Sequence, residues 1–363
     1  MDYVRKRILV IKNEKLGNRK GGQMRMKNKI NEGWRLYKEA MIKRLWAYQE
    51  RKFRSKQGVF EKTYVENTKR PPVFLRDEAE LNVLVNQEIP NEVQRTVRDQ
   101  IQKNRRHRWF ASMSSSQALA QSVFGNLYVL GKLECLAALR GADGNPLFIR
   151  GEDNLKIFEM EKVILYLGET SRKTNIDVFL GGKHQIAIEC KLTETEIGTC
   201  SRPRMRRNEP NYDAEFCDGR YCRQRNRTER CSLTQIGVKY WRYIPEFFKW
   251  DPSVDYDPCP LNSTYQLVRN VLSGGLRPKE GEETEPMDAE GHAVLVCDER
   301  NPQFREGGEG WQAYLDTKNA LKNPSLLQTC TWQKIIGAMA KDEELDWLVQ
   351  GLSEKYGLEA ENK

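Results

Sequence analysis

Residues 175–192 read NIDVFLGGKHQIAIECKL. An apolar run carries one acid, Asp177. Gly181 and Gly182 follow, and a second apolar run then carries Glu189 and Lys191 with one residue between them. A glycine pair between two β-rich runs marks a hairpin. Side chains alternate across a strand, so Glu189 and Lys191 share a face while Cys190 joins Ile186 and Ile188 on the core-facing row. Antiparallel pairing brings Asp177 toward Glu189, although the sequence leaves the register open. A charge inside an otherwise buried strand is costly unless something pairs with it, so three charges on two adjoining strands point to a site. The same pattern also fits a half-exposed hairpin whose charges form an ordinary cross-strand ion pair.

Two carboxylates converging at a strand end suit a hard divalent cation, Mg²⁺ or Mn²⁺, held through oxygen ligands. An ammonium two residues on can hold or activate a water, or stabilise charge on a phosphate.

Asp177, then Glu189-Cys190-Lys191 after a turn, resembles the D…(D/E)xK signature of the PD-(D/E)xK nuclease superfamily, which includes type II restriction enzymes. The likeness extends to SSSQALAQSVFGNL (114–127), KLTETEIGTCSRPR (191–204), YWRYIPEFF (240–248), TYQLVRN (264–270) and ERNPQF (299–304). Together these look like a bacterial restriction-endonuclease family over residues 110–355. Ile176 stands where the superfamily's proline would be. The resemblance implies Asp177 and Glu189 as metal ligands, with the Cys190 carbonyl completing the shell and Lys191 positioning water or stabilising the transition state. It implies 5′-phosphate and 3′-hydroxyl products, a double-stranded DNA substrate and a role in restriction or phage defence. A homodimer or a defence-complex partner is the association to look for. Glu134 would be the helix-borne acid that some members add, and Glu159 and Glu161 are alternative ligands.

In TYQLVRN, Gln266, Arg269 and Asn270 sit at i, i+3 and i+4 and share a helix face. This resembles the glutamine-bearing helix that follows the ExK strand in exonuclease-like members, where the glutamine supports the site or the phosphate. A polar stripe on an exposed helix reads the same way. Gln235 with Tyr240 is a second candidate pair.

Charge is unevenly spread. Residues 1–110 hold 28 Lys and Arg against 13 Asp and Glu, whereas the remainder holds 32 against 38. A basic arm on a mildly acidic body is a footprint of polyanion binding, and a solvated basic tail has the same composition. The densest short basic run is KNRRHRW (103–109), whose Arg105, Arg106 and Arg108 are candidate nucleic-acid contacts, as is Arg269. No run approaches the ~20 apolar residues of a bilayer span, so no membrane association is expected. Nine cysteines, an odd number in a long chain, point to a reducing cytoplasm.

The expected fold is α/β (α+β), with an αβββαβ PD-(D/E)xK core: a mixed central sheet flanked by helices over 111–363, after a basic, mainly helical region over 1–110. A flexible arm over 1–27 precedes a helix over 29–56. There Trp34, Tyr37, Met41, Leu45 and Tyr48 form a stripe that docks on the body. The composition predicts a linker over 57–76, helix over 77–102 broken at Pro90, and helix over 114–139 with serines at its N-cap. Strands are predicted at 155–167 and 293–297, with a helix at 263–272 and an acidic surface loop over 276–291. Cys135, Cys297 and Cys330 lie in apolar contexts and read as core.

The 200–260 insert is rich in Cys and Arg. Cys200, Cys217, Cys222 and Cys231, with Cys259 after them, are candidate ligands for Zn²⁺ or an iron–sulfur cluster. The first four are separated by 16, 4 and 8 residues, which is neither a standard zinc-finger spacing nor a tight CxxC staple. Scattered reduced thiols would give the same pattern. Two readings of the whole chain follow: a metal-dependent nuclease, or a non-catalytic nucleic-acid-binding protein with a degenerate nuclease core and a metal-stapled insert.

Overall fold

The computed structural model describes residues 2–65, 68–148, 156–169, 175–182, 184–200, 217–223, 228–278, 284–286 and 291–361. Its centre is a mixed sheet. Strands β1 (Ile157–Val163), β2 (Asn175–Gly181) and β3 (Gln185–Cys190) form an antiparallel meander. A two-stranded ribbon, β4 (Leu276–Pro278) with β5 (Thr284–Pro286), comes next in the chain. Strands β6 (His292–Cys297) and β7 (Leu327–Thr331) then complete the main sheet in the order β1-β2-β3-β6-β7. β3 pairs with β6, and β6 with β7, in parallel. A parallel neighbour needs a crossover, and the Leu261–Gly275 helix provides it between β3 and β6.

The sheet is covered on both sides. Val178, Leu180, Ile186, Ile188 and Cys190 belong to one buried cluster, with Phe124, Trp332 and Ile336. Phe179, Ala187, Ala293 and Leu295 belong to the other, with Leu267, Val268 and Val271 of the crossover helix. The Ile186, Ile188, Cys190 row therefore faces a core as expected. The opposite row is buried too, which is why β6 (HAVLVC) reads as continuously apolar.

The N-terminal helix runs Asp2–Lys52, so one helix takes in residues 2–27 of the expected arm together with most of the helix expected over 29–56. The stretch contains glycines but no proline, and nothing in it removes a backbone donor. The stripe does dock on the body. Trp34 Nε1 donates to Thr193 O at 3.0 Å, Tyr37 Oη lies 3.0 Å from Leu192 O and 2.9 Å from Asp298 Oδ2, and Leu45 is fully buried. Met41, Leu45 and Tyr48 share one cluster with Val97, Val178 and Ile188, so apolar packing runs across the expected boundary at 110.

Other expectations change in detail. Residues 77–102 hold a 3₁₀ turn (Arg76–Asn82) and a helix (Asn91–Arg98) that starts just after Pro90. Proline fixes its own φ and disfavours helix before it. The 114–139 helix begins at Ser116, capped by Ser115, which accepts from Ala118 N at 3.3 Å. The acidic loop contains the β4–β5 ribbon, while 279–283 and 287–290 lie outside the described residues. Among the described residues no helix is long and apolar enough to cross a membrane.

Candidate active site

The strand register gathers the acids. β1 pairs with β2 at Met160–Val178 and Lys162–Ile176, and β2 with β3 at Val178–Ile188. These registers put Glu161, Asp177 and Glu189 on one rung across three strands. The regular ladder is interrupted there. Glu161 takes φ 53°, a conformation uncommon for any residue but glycine, and the Cys190 N–H donates to Asp177 Oδ2 at 2.7 Å instead of to a strand carbonyl. A side chain on a strand normally stands apart from the ladder; this one enters it.

Glu189 is only 2% exposed, and both its oxygens are engaged. Lys191 Nζ donates to Oε1 at 2.6 Å, while Arg269 and Asn270 of the crossover helix donate to Oε2 at 3.2 and 2.9 Å. Gln266 accepts from Lys191 Nζ at 3.1 Å. The Gln266/Arg269/Asn270 face thus meets the Glu189/Lys191 face; Glu189, Arg269 and Asn270 are buried and Gln266 is half-buried. Burial rules out the reading of an exposed hairpin with an ordinary surface ion pair.

Electrostatics set the acids against one another. Burial first, then the charges of Glu189 and Glu161, hold the Asp177 carboxyl well above the usual carboxylate range. Burial, aided by Glu189, pushes Glu161 up to about 7 against hydrogen bonds from Gln117 and Asn175. Burial opposes the Lys191 ammonium, but Glu189 and Asp177 outweigh it and raise its pKa, so it stays charged. Three carboxylates with one held in proton-favouring conditions and another near neutrality form a donor set that a divalent cation would relieve. Asp177, Glu161 and Glu189 could hold such an ion once Lys191 yields Oε1. Among the described residues, no three His, Cys, Asp or Glu side chains already stand as a metal-binding group.

The rung floors a cavity of about 800 Å³, which Cys190, Lys191, Gln266 and Arg269 also line. Its other walls come from earlier in the chain: Lys38, Lys69, Arg70, Arg105, His107, Trp109 and Ser114 to Gln117. An acidic floor under a basic wall is suited to a phosphate backbone approaching a cation site. Trp109 is 44% exposed.

Of the other expected residues, Arg105 reaches the cavity while its guanidinium pairs with Glu159 at 2.8 Å. Arg106 donates to Arg98 O at 3.0 Å and lies over the Phe110 ring, and Arg108 lies over Trp109; neither lines the cavity. Arg269 is 1% exposed, so it braces Glu189 instead of presenting a surface contact. Glu159 is tied to Arg105 and Lys162 away from the cavity, and Glu134 is exposed on a separate turn. Gln235 bonds Thr228, whereas Tyr240 bonds Glu169 and Tyr265, and neither lines the cavity. Cys200, Cys217 and Cys231 line a second cavity, which takes Cys259 and omits Cys222.

Sequence reasoning missed Glu194. Its Oε1 accepts from Ser116 Oγ at 2.6 Å and its Oε2 from Leu192 N at 2.6 Å, joining the serine turn to the end of β3. No spacing signal marks it, because its partner lies 78 residues away.

A mixed sheet with acids and a lysine convergent at one strand end defines a candidate phosphodiesterase scaffold. Over residues 43–357 the chain matches, and belongs to, the family described as Restriction Endonuclease associating with ARP. That membership agrees with the sequence resemblance to a restriction-endonuclease family and suggests a nuclease of restriction type acting on DNA. None of the curated proteins or solved structures compared matches the chain.

Proposed function

We propose that this chain is a metal-dependent deoxyribonuclease with a PD-(D/E)xK-type core, cutting DNA internally in a restriction or phage-defence setting. One observation carries the reading: Asp177, Glu189 and Lys191 meet at the interrupted rung on the floor of a cavity walled by basic residues.

Asp177, Glu161 and Glu189 would hold the ion. When bound, Mg²⁺ supplies Lewis acidity and a more acidic water beside the scissile phosphate. Lys191, kept charged by its acidic neighbours, places an ammonium where negative charge grows on the phosphate. Gln266 holds that ammonium in position, while Arg269 and Asn270 fix the Glu189 carboxylate. Lys38, Lys69, Arg70 and Arg105 contact the backbone on either side, giving affinity without base discrimination.

Cleavage of plasmid and linear DNA by wild type, Lys191→Ala and Asp177→Asn, with Mg²⁺ and with chelator, tests the proposal. Wild type should cut only with the ion, and each variant should lose on the order of a hundredfold or more. Wild type that shifts DNA in a gel without cutting it, with Lys191→Ala behaving alike, would establish the non-catalytic binder instead.

A further inference from the structure

Away from the catalytic cavity, four cysteines from separate segments line one small cavity of about 10 Å³: Cys200 beyond β3, Cys217, Cys231, and Cys259 just ahead of the crossover helix. Backbone bonds hold these segments together. Cys200 N donates to Asn262 O at 3.0 Å, Cys259 N to Gly219 O at 2.8 Å, and Tyr221 and Tyr256 exchange two bonds of 2.9 and 2.8 Å. Cys222, which sequence spacing groups with Cys217 and Cys231, does not line the cavity.

We infer that Cys200, Cys217, Cys231 and Cys259 bind a single Zn²⁺ as a structural tetrathiolate centre. The chemistry of the donor set is decisive: four soft sulfur ligands in one place select zinc or iron–sulfur. Size separates the two. A space near 10 Å³ is about one water-sized sphere, room for one ion and too little for a multi-iron cluster. Among the described residues no three such side chains already stand as a metal-binding group, so zinc binding would have to bring the four sulfurs to about 2.3 Å from the ion. Zinc there would clamp the chain after β3 to the start of the helix that carries Gln266, Arg269 and Asn270. This inference stands independently of the nuclease reading.

The test is metal content of the full-length chain, purified under reducing conditions and measured by elemental analysis. Wild type and Cys222→Ser should carry one zinc per chain and no iron, and Cys259→Ser should retain on the order of tenfold less. Because a cysteine variant can fail to fold, cobalt substitution of the wild type gives a second readout: intense visible bands of tetrahedral cobalt with thiolate charge transfer. Iron with broad visible absorption, no zinc after reconstitution, or zinc lost from Cys222→Ser but kept by Cys259→Ser would each overturn the assignment. Cobalt bands without thiolate charge transfer would overturn it as well.

Discussion

Glu161 combines three unusual properties at one position: φ 53°, 5% exposure, and a carboxyl pushed up to about 7. Strained backbone and a buried acid each oppose folding, by about 1–3 kcal/mol for the backbone alone, and such positions cluster at functional sites. In the proposed metal site, a cation would relieve what the metal-free fold must tolerate. Glu161→Gln removes one charge while keeping the shape. At pH 8 the metal-free variant should therefore unfold at higher urea than wild type, and its cleavage should need on the order of tenfold more Mg²⁺. Lower urea resistance together with unchanged Mg²⁺ dependence would remove Glu161 from the ligand set. In the sequence Glu161 was one of two alternating acids on a strand. The two acids share a strand face, so which of them lies beside Asp177 depends on a two-residue step in register that the sequence leaves open.

The crossover helix Leu261–Gly275 shows why some element-scale features escape a sequence reading. Its polar face was legible, since Gln266, Arg269 and Asn270 follow helical spacing. Its ending was not. The helix expected over 263–272 runs on to Gly275, so both glycines of SGGL remain in it. A Cβ on Gly274 would stand 2.6 Å from His292 O, and one on Gly291 would stand 2.0 Å from Gly274 O. The helix end therefore lies against the start of β6, backbone on backbone, and the glycines are there for contact. Helix propensity alone favours Gly274→Ala by about 1 kcal/mol. The clash should reverse that sign and destabilise by about 1–3 kcal/mol, read by urea denaturation. A stabilised variant would mean that the helix and strand are not in this close contact.

At the scale of the whole molecule, segments from both ends of the chain brace the candidate site. The N-terminal helix is pinned through Tyr37 to Asp298, which also accepts from Arg300 Nη2 at 2.6 Å and Gln333 at 2.8 Å. Near the C-terminus, Lys355 is 1% exposed and donates to Asn82 Oδ1 at 2.7 Å; Asn82 in turn donates to Phe110 O and Ser112 O beside the cavity wall. Burial pushes Lys355 down to about 7 from 10.5. Between those values the unfolded chain holds a proton that the folded chain lacks, so Lys355 makes stability rise with pH across that window and fall as pH drops to 7. Urea titrations from pH 7 to 10 should show a steeper rise for wild type than for Lys355→Met. Parallel profiles would show that the ammonium is accommodated charged.

The sequence by itself determined the hairpin, the shared face of Glu189 and Lys191, the docking stripe of the N-terminal helix and the polar face of the crossover helix. Each follows from a local period of two or 3.6 residues. Only the tertiary structure decided that Glu161 joins Asp177 and Glu189, that Arg269 is a buried brace, that Glu194 ties β3 to the serine turn, and that Cys259, not Cys222, lines the second cavity. Those pairings join residues far apart in the chain. Strand register and crossover geometry choose among partners that look alike in one dimension, and local spacing carries no record of that choice.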